Sequence, residues 1–408
     1  MRRVAVTGMG GVCAFGQSWE EIRPQILAQH NAVCYMPSWE QFNGLHTKVA
    51  APVLNFTTPA HYTRKQTRSM GRVGVMSVRA TELALMQAGL LEEKELLRSG
   101  RMGVAYGSSA GSPDAIADFA CLMKEHDTGD INATTYVRMM PHTTAVNVAI
   151  FFGLTGRIIP TSSACTSGSM AIGYAYEAIK HGYQDVMVAG GAEELDASDA
   201  AVFDVLFATT QCNDHPELTP RPFDKTRDGL VIGEGAATLI LEEWEHAKAR
   251  GATIYAEVVG FGTNCDATHI TQPNSTTMQI CMEQALASAN LPPAAISYIS
   301  AHGTATDRGD IAESQATARI FGPQVPISSL KSYFGHTLGA CGSLEAWLGI
   351  EMMREGWFNA TINLTEVDEQ CGELDYIMGT PRKLEATYIQ SNNFAFGGVN
   401  TSLIFKRV

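Results

Sequence analysis

The sequence predicts an α/β fold of two consecutive halves, and three observations carry that expectation. Short β-rich runs end in glycine-containing turns and lead into helical patterns. The 38 glycines are spread along all 408 residues and gathered into no repeat, as many tight strand-to-helix turns require. A second series of strands and helices begins near Thr253. Alternation of this kind implies a mainly parallel sheet covered by helices.

In chain order, residues 3–7 read as a buried first strand. Thr7, Gly8, Gly10 and Gly11 break the apolar run at once, which leaves no signal-peptide core. Gly8-Met9-Gly10-Gly11-Val12-Cys13 does not make a dinucleotide-binding turn, because Cys13 stands where the third glycine belongs. Residues 71–88 carry Val75, Val78, Leu83 and Leu85 among polar residues and read as an amphipathic helix. Strands are expected over 102–106 and 185–189; between them lies a helix, 167–180, apolar nearly all round and therefore buried. The longest apolar stretch, 146–154, falls far short of the roughly 20 residues a membrane-spanning helix needs.

A charged helix is expected over 242–250, its basic residues near the C-terminal end where the helix dipole favours them. The boundary follows it, giving halves 1–250 and 251–408. In the second half, strands are expected over 298–301 and 401–405. Residues 164–168 and 301–305 each follow a strand, a loose echo between the halves.

A net charge of −13 argues against general nucleic-acid binding, which needs a basic surface. Nine cysteines, without CxxC pairs, indicate neither a disulfide framework nor a zinc site and suit a reducing cytoplasm. Any acidic partner must find a local basic patch.

Four segments carry candidate chemistry. Pro160-Thr161-Ser162-Ser163-Ala164-Cys165-Thr166-Ser167-Gly168 leads from a strand through a turn into the buried helix. That placement puts Cys165 at a helix N-terminus, where unpaired N–H groups and the dipole lower a thiol pKa; the alternative is a small buried hydrophobe. In Ala301-His302-Gly303-Thr304-Ala305-Thr306-Asp307-Arg308-Gly309-Asp310-Ile311-Ala312-Glu313, a histidine at a strand end projects into the crevice where α/β proteins place ligands. Ile327-Ser328-Ser329-Leu330-Lys331-Ser332-Tyr333-Phe334-Gly335-His336 repeats the grammar and brings Lys331 and His336 to another turn. Ser391-Asn392-Asn393-Phe394-Ala395-Phe396-Gly397-Gly398-Val399-Asn400 suits a mobile gate or a hairpin turn. The histidines lack the close spacing of a metal site.

Together and in this order, the segments resemble the elongating β-ketoacyl-acyl-carrier-protein synthases over essentially the whole chain. The resemblance implies a thiolase-like fold, two pseudo-symmetric α/β halves in an α-β-α-β-α stack. It implies a dimer, of like chains or with a related ketosynthase-like subunit. By motif, Cys165 takes an acyl chain from acyl carrier protein, and His302 and His336 hold the malonyl thioester oxygen during decarboxylation. The backbone N–H groups of Cys165 and Phe396 form the oxyanion hole, while Lys331, Glu313 and Asp310 match the family's supporting charged positions. No metal or organic cofactor is implied. Arg64, Lys65 and Arg68, with Arg72, lie in the segment resembling the carrier-docking region and supply a basic island.

Ala395 stands where the family usually has glycine, and Thr271-Gln272-Pro273-Asn274-Ser275 looks shorter than the loop that moves with the gate. Ser108, Ser109 and Ala110 fall near the positions that set pocket depth, which suggests a long or rigid chain and a specialised polyene or other secondary lipid pathway. A degradative thiolase carries a second catalytic cysteine in place of one histidine. A non-catalytic chain-length partner lacks the nucleophile, and a starter-type synthase replaces the second histidine with asparagine. Cys165, His302 and His336 oppose all three.

Overall fold

A computed structural model describes residues 1–129 and 131–408. In chain order the first half contains β1 (Val4–Val12), α1 (Arg72–Gln87), β2 (Met102–Gly107), β3 (Ile158–Pro160), α2 (Ser167–Lys180), β4 (Val186–Glu193), α3 (Ala197–Asp204) and β5 (Gly235–Glu243). Helix α4 (Trp244–Ala249) links to β6 (Ala256–Cys265), α5 (Ser275–Ala289), β7 (Tyr298–Ser300), α6 (Asp307–Phe321), β8 (Pro326–Ser328), α7 (Cys341–Glu355), β9 (Tyr388–Ala395) and β10 (Val399–Lys406).

The ten strands form one sheet in the order β8-β7-β9-β10-β6-β1-β5-β4-β2-β3, with Asp375–Tyr376 added beyond β8. Read from the middle outward, the two halves have the same topology. In each, the first strand pairs antiparallel with the fifth, the fifth antiparallel with the fourth, and the fourth, second and third run parallel. Antiparallel pairing of β1 with β6 joins the halves at Val4↔Val258. The sheet is therefore mixed, not mainly parallel as the alternation suggested. The reason is the fifth strand of each half, which lies antiparallel to both its neighbours; in the second half β9 turns directly into it through a hairpin.

The duplication also corrects the expected echo. Cys165 follows the third strand of its half and His302 the second of its own. The true counterpart of the Cys165 turn is the stretch after β8, which carries Lys331 and His336. The counterpart of the His302 turn is Ser108-Ser109, after β2.

Helices make the layers. α1 covers β1 and β5 on one outer side, and α5 covers β6 and β10 on the other. α2 and α7 pack on each other between them and touch strands of both halves, which gives the five-layer α-β-α-β-α stack of a thiolase-like fold. A helix enclosed on all sides must be apolar all round, and α2 buries residues from Ser167 to Ile179 on nearly every face. The two central helices meet closest at their N-termini. A Cβ at Gly168 would lie 2.9 Å from Ser343 N, and one at Gly342 only 2.6 Å from Ser169 N, so glycine is required at both. This contact fixes the Cys165 turn against the start of α7.

One further expectation is corrected here. The charged helix does not start at Glu242: that residue is fully buried in β5, ion-paired with Arg250 and accepting a hydrogen bond from Thr7, because a carboxylate with two such partners can occupy a strand interior. The helix is α4, and the Glu243 side chain caps its start by accepting from His246 N–H. The Gly8–Cys13 segment is extended strand, paired antiparallel with β5 as far as Val12, and not a tight phosphate-binding turn. Among the described residues no helix is long and apolar enough to cross a membrane.

Candidate active site

Three turns bring Cys165, His302 and His336 together: the cysteine sulfur and one nitrogen of each ring lie within 4.8 Å of one another. Each turn is held in a conformation that L-residues disfavour. Ala164, Ala305 and Leu338 have φ of 51°, 66° and 44°. Backbone strain of this kind persists where the surroundings over-determine the geometry, and here it flanks all three reactive side chains.

His336 Nε2 lies 2.9 Å from Cys165 Sγ. Its Nδ1 accepts a hydrogen bond from the Leu338 N–H at 3.2 Å. A neutral imidazole whose Nδ1 accepts must carry its proton on Nε2, so His336 presents an N–H to the sulfur. Asn393 Nδ2 faces Nδ1 of His302 at 3.4 Å, which favours the same tautomer there. Burial, then the charge of Lys331, hold both rings well below the usual imidazole range and keep them neutral. The two rings meet edge to face at 5.2 Å. Close spacing, absent along the sequence, thus exists in space. A metal would need lone pairs at the centre, however, and His336 directs a proton there.

The thiol departs from expectation. Burial pushes Cys165 up to about 12, against the opposing pull of Lys331 and of the N–H groups of Phe396 and Cys165 itself. The helix-start position does not produce a ready thiolate, because the sulfur is enclosed and Thr166, one residue on, is the N-cap. Since the thiolate is the reactive form, alkylation of Cys165 by iodoacetamide should climb about tenfold per pH unit between roughly pH 7 and 9. A rate already level across that range would mean a thiolate at neutrality.

The supporting groups act through the backbone. Glu313 accepts the N–H groups of His302 and Gly303, each at 2.7 Å. Asp310 accepts those of Thr304 and Ala305 at 3.0 and 3.2 Å and of Phe223 at 2.7 Å, with Arg227 at 3.7 Å. Burial raises Glu313 to about 8 and Asp310 to about 6. Neither carboxylate touches an imidazole; they clamp the turn that carries His302. Lys331, buried, pairs with Glu345, whose other oxygen accepts Asn393 Nδ2 at 2.7 Å. Burial alone would pull Lys331 down, but Cys341 and Glu345 lift it, and it stays charged.

Sequence reading missed Glu345 and Glu193. The signal for Glu345 was a carboxylate within the apolar run of α7. Glu193 ends β4 and accepts the N–H groups of Ser109 and Gly339 at 2.8 and 2.9 Å, tying the turn after His336 to the turn after β2.

Phe396, Gly397 and Gly398 are the turn of the β9–β10 hairpin, so the gate and hairpin readings describe one element. Gly398 has φ of 70° and packs so close to Asp266 that a Cβ would come within 2.6 Å of its side chain. The following loop is tied to this turn: Gly397 N–H donates to Ile270 O at 2.7 Å, and Asp266 N–H to Gly398 O at 2.8 Å. A cavity of about 540 Å³ runs from Cys165 past Phe396 and Met278 to the surface. Its walls do not include Ser108, Ser109 or Ala110; Ser108 is sealed against Pro141 O. The pocket-depth expectation therefore finds no support in this cavity.

Arg64, Lys65 and Arg68 lie away from this cavity, exposed on and just after a short helix, Arg64–Thr67, capped by Thr63. Arg72 does not belong with them. Its guanidinium forks onto Glu234 at 2.6 and 3.1 Å and donates to Val53 O at 2.7 Å, so its charge is already spent.

Family models match residues 1–247 as a β-ketoacyl synthase N-terminal domain and residues 255–365 as a β-ketoacyl synthase C-terminal domain. The 3-oxoacyl-[acyl-carrier-protein] synthase 2 of Vibrio harveyi is 37% identical over all of this chain and 99% of its own. The crystal structure of a β-ketoacyl synthase from Burkholderia phymatum is 61% identical and superposes over the full length of both chains with a TM-score of 0.99. The structure of the ishigamide ketosynthase/chain length factor is 30% identical, covering all of this chain and 99% of that one, with a TM-score of 0.91.

Proposed function

The chain belongs to the β-ketoacyl synthase family, an enzyme of the acyltransferase class, and we propose that it extends an acyl chain held on Cys165 by decarboxylative condensation with malonyl-acyl carrier protein. One observation carries this reading: a neutral imidazole N–H, on His336, aimed at the Cys165 sulfur from 2.9 Å. Cys165 attacks the acyl thioester; the new C–S bond forms, the bond to the pantetheine sulfur breaks, and the thiol proton ends on the departing thiolate. The N–H groups of Cys165 and Phe396 receive the transient oxyanion. Malonyl thioester then loses carbon dioxide, and the electron pair left behind becomes an enolate whose oxygen His302 and His336 hold. The enolate carbon attacks the acyl carbonyl, and Cys165 leaves as thiolate and regains a proton.

Lys331 keeps both rings neutral donors, while Glu313 and Asp310 hold the His302 turn. The reading needs no resident metal or organic cofactor, since decarboxylation drives the step and the pantetheine arm arrives with the carrier. The nine free cysteines suit the reducing cytoplasm expected for such chemistry. Arg64, Lys65 and Arg68 steer the acidic carrier.

Strand β3 ends the sheet with one edge unpaired among the described residues, and Ile158 on it is 46% exposed. Such an edge calls for a partner strand, and we take that partner to be a second copy. A related subunit is the second reading, favoured by the ishigamide ketosynthase/chain length factor neighbour. Sedimentation of the pure 44.0 kDa chain separates the two.

Intact-protein mass spectrometry tests the function. Carrier proteins bearing chains of graded length and unsaturation should raise the mass by the acyl group, and Cys165→Ala should abolish the increase. Preference for polyunsaturated chains would support the specialised polyene pathway. In the same assay Lys65→Glu with Arg68→Glu should slow acylation at low salt and flatten its salt dependence; an unchanged rate removes docking from this helix. No acylation with any chain would overturn the reading.

A further inference from the structure

Both histidines of the site sit on turns that need holding. Glu313 does this for His302 by accepting two adjacent backbone N–H groups. His336 has its own backbone pinned to residues 231–233, its N–H donating to Val231 O at 2.7 Å and its carbonyl accepting the Gly233 N–H at 2.8 Å. What fixes its tautomer lies two residues further on, in the Leu338 N–H. Leu338 stands at a φ of 44°, which a bulky side chain disfavours. A strained residue keeps a functional hydrogen bond only where the peptides around it are held as well.

Glu193 supplies that hold. Its Oε2 accepts both the Gly339 N–H at 2.9 Å and the Ser109 N–H at 2.8 Å, from a buried position at the end of β4. The backbones around it leave no slack. A Cβ on Gly191 would lie 2.1 Å from Gly339 O, and one on Gly339 would lie 2.8 Å from both Ser108 Cα and Glu193 Oε2. The His336 turn of the second half is thus pressed into the first half, with a carboxylate across the seam. Burying a carboxylate without a counter-charge is costly, and no cation pairs with Glu193 among the described residues. Burial pushes it up to about 7, against the pull of Ser109 and of the Gly339 and Ala110 N–H groups. No condensing step uses it. A carboxylate kept here at such cost marks N–H groups that must not move.

We propose that Glu193 is the positioning residue of His336: by holding Gly339 against Ser109 it aims the Leu338 N–H at Nδ1 and so keeps the ring's proton on Nε2. The inference deepens the condensing function above and rests on it. Glu193 touches neither thioester nor enolate and acts only through the imidazole. Each ring is then aimed by one carboxylate, Glu313 from α6 for His302 and Glu193 from β4 for His336.

Glu193→Met removes the acceptor while keeping a side chain of similar length. Carbon dioxide release from malonyl-acyl carrier protein should slow about 10- to 10²-fold, the range that a misplaced group costs, while Cys165 still gains its acyl mass. Glu193→Gln, which offers one oxygen to the same two N–H groups, should recover most of the loss. Two readouts separate positioning from mere support of the fold. In a His336→Ala background the same change should slow carbon dioxide release little further, because a residue acting through His336 is not additive with its loss. Nitrogen-15 spectra of histidine-labelled protein, with the His336 signals identified by their absence from His336→Ala, should show the proton held on Nε2 in the native chain. In Glu193→Met it should be shared between the two ring nitrogens. If Glu193→Met does not fold, Glu193→Asp, which withdraws the carboxylate by one methylene, is read in the same way. Native rates in the folded variant, a full further loss on top of His336→Ala, or an unchanged tautomer overturns the proposal. If the native chain neither acylates Cys165 nor releases carbon dioxide, the condensing function fails, and the tautomer spectra still decide the role of Glu193.

Discussion

Replacing His336 with alanine is expected to slow condensation at least about 10²–10³-fold in kcat, the usual effect of removing one preorganised donor, while Cys165 still takes up its acyl group. The separation follows from the tautomer. With Nδ1 accepting from Leu338, the ring has a proton to give and no lone pair with which to take the thiol's. It can therefore stabilise the enolate oxygen but cannot act as the base for Cys165. Lys331 reinforces this by disfavouring a second proton on the ring. His336→Gln, which keeps an N–H near the same place, should recover part of the loss. Carbon dioxide release reads the second step, and protein mass reads the first. Acylation falling by the same factor as decarboxylation would assign His336 a base role and contradict the tautomer. Alanine also leaves the buried Leu338 N–H unpaired, a cost of about 1–3 kcal/mol, so circular dichroism should accompany the kinetics.

Lys331→Met is expected to be the most destabilising change at the site, by about 3–5 kcal/mol, the usual cost of breaking a buried ion pair. Lys331 is 2% exposed, and its partner Glu345 lies as deep between the two halves. Burial already raises the Glu345 carboxyl above its ordinary value of 4.5, despite the help of Lys331 and Asn393. Its folded pKa exceeds its unfolded one, so the folded state binds the proton more tightly and loses stability as pH rises through that interval. Without Lys331 the interval widens. The destabilisation should therefore shrink as pH falls and Glu345 becomes neutral, visible as melting temperatures of variant and native protein that converge as the pH is lowered. Lys331→Met with Glu345→Leu should restore most of the stability, since apolar replacement of both partners is often neutral. It should not restore condensation, because the donor geometry at Asn393 and His302 is lost. A single variant as stable as the native chain would remove Lys331 from this role.

Much of the site was legible along the chain because strand–turn–helix grammar is local. Each turn announces itself by small residues and glycine after a β-rich run, and Cys165, His302, Lys331, His336 and Phe396 all sit on such turns. Glu313 and Asp310 were legible as charged positions on α6, but not as backbone clamps. Three features escaped: the antiparallel placement of the fifth strand in each half, the true pairing of the repeated turns, and the buried carboxylates Glu345 and Glu193. Each depends on partners far away in sequence. Arg72 shows the same limit, since nothing local separates it from Arg68, yet Glu234 claims it from 162 residues away.

The sequence by itself determined which chemical groups are present, the kind of turn that carries each, and the family that shares their order. Only the tertiary structure decided that a histidine meets a cysteine across 171 residues. It also decided that both imidazoles are neutral donors and that the thiol is raised and not lowered. The physical reason is that residue type and turn geometry depend on neighbours in the chain. Protonation and tautomer depend on burial, on the field of Lys331 and on single backbone N–H groups, which exist only once the two halves have closed around the central helices.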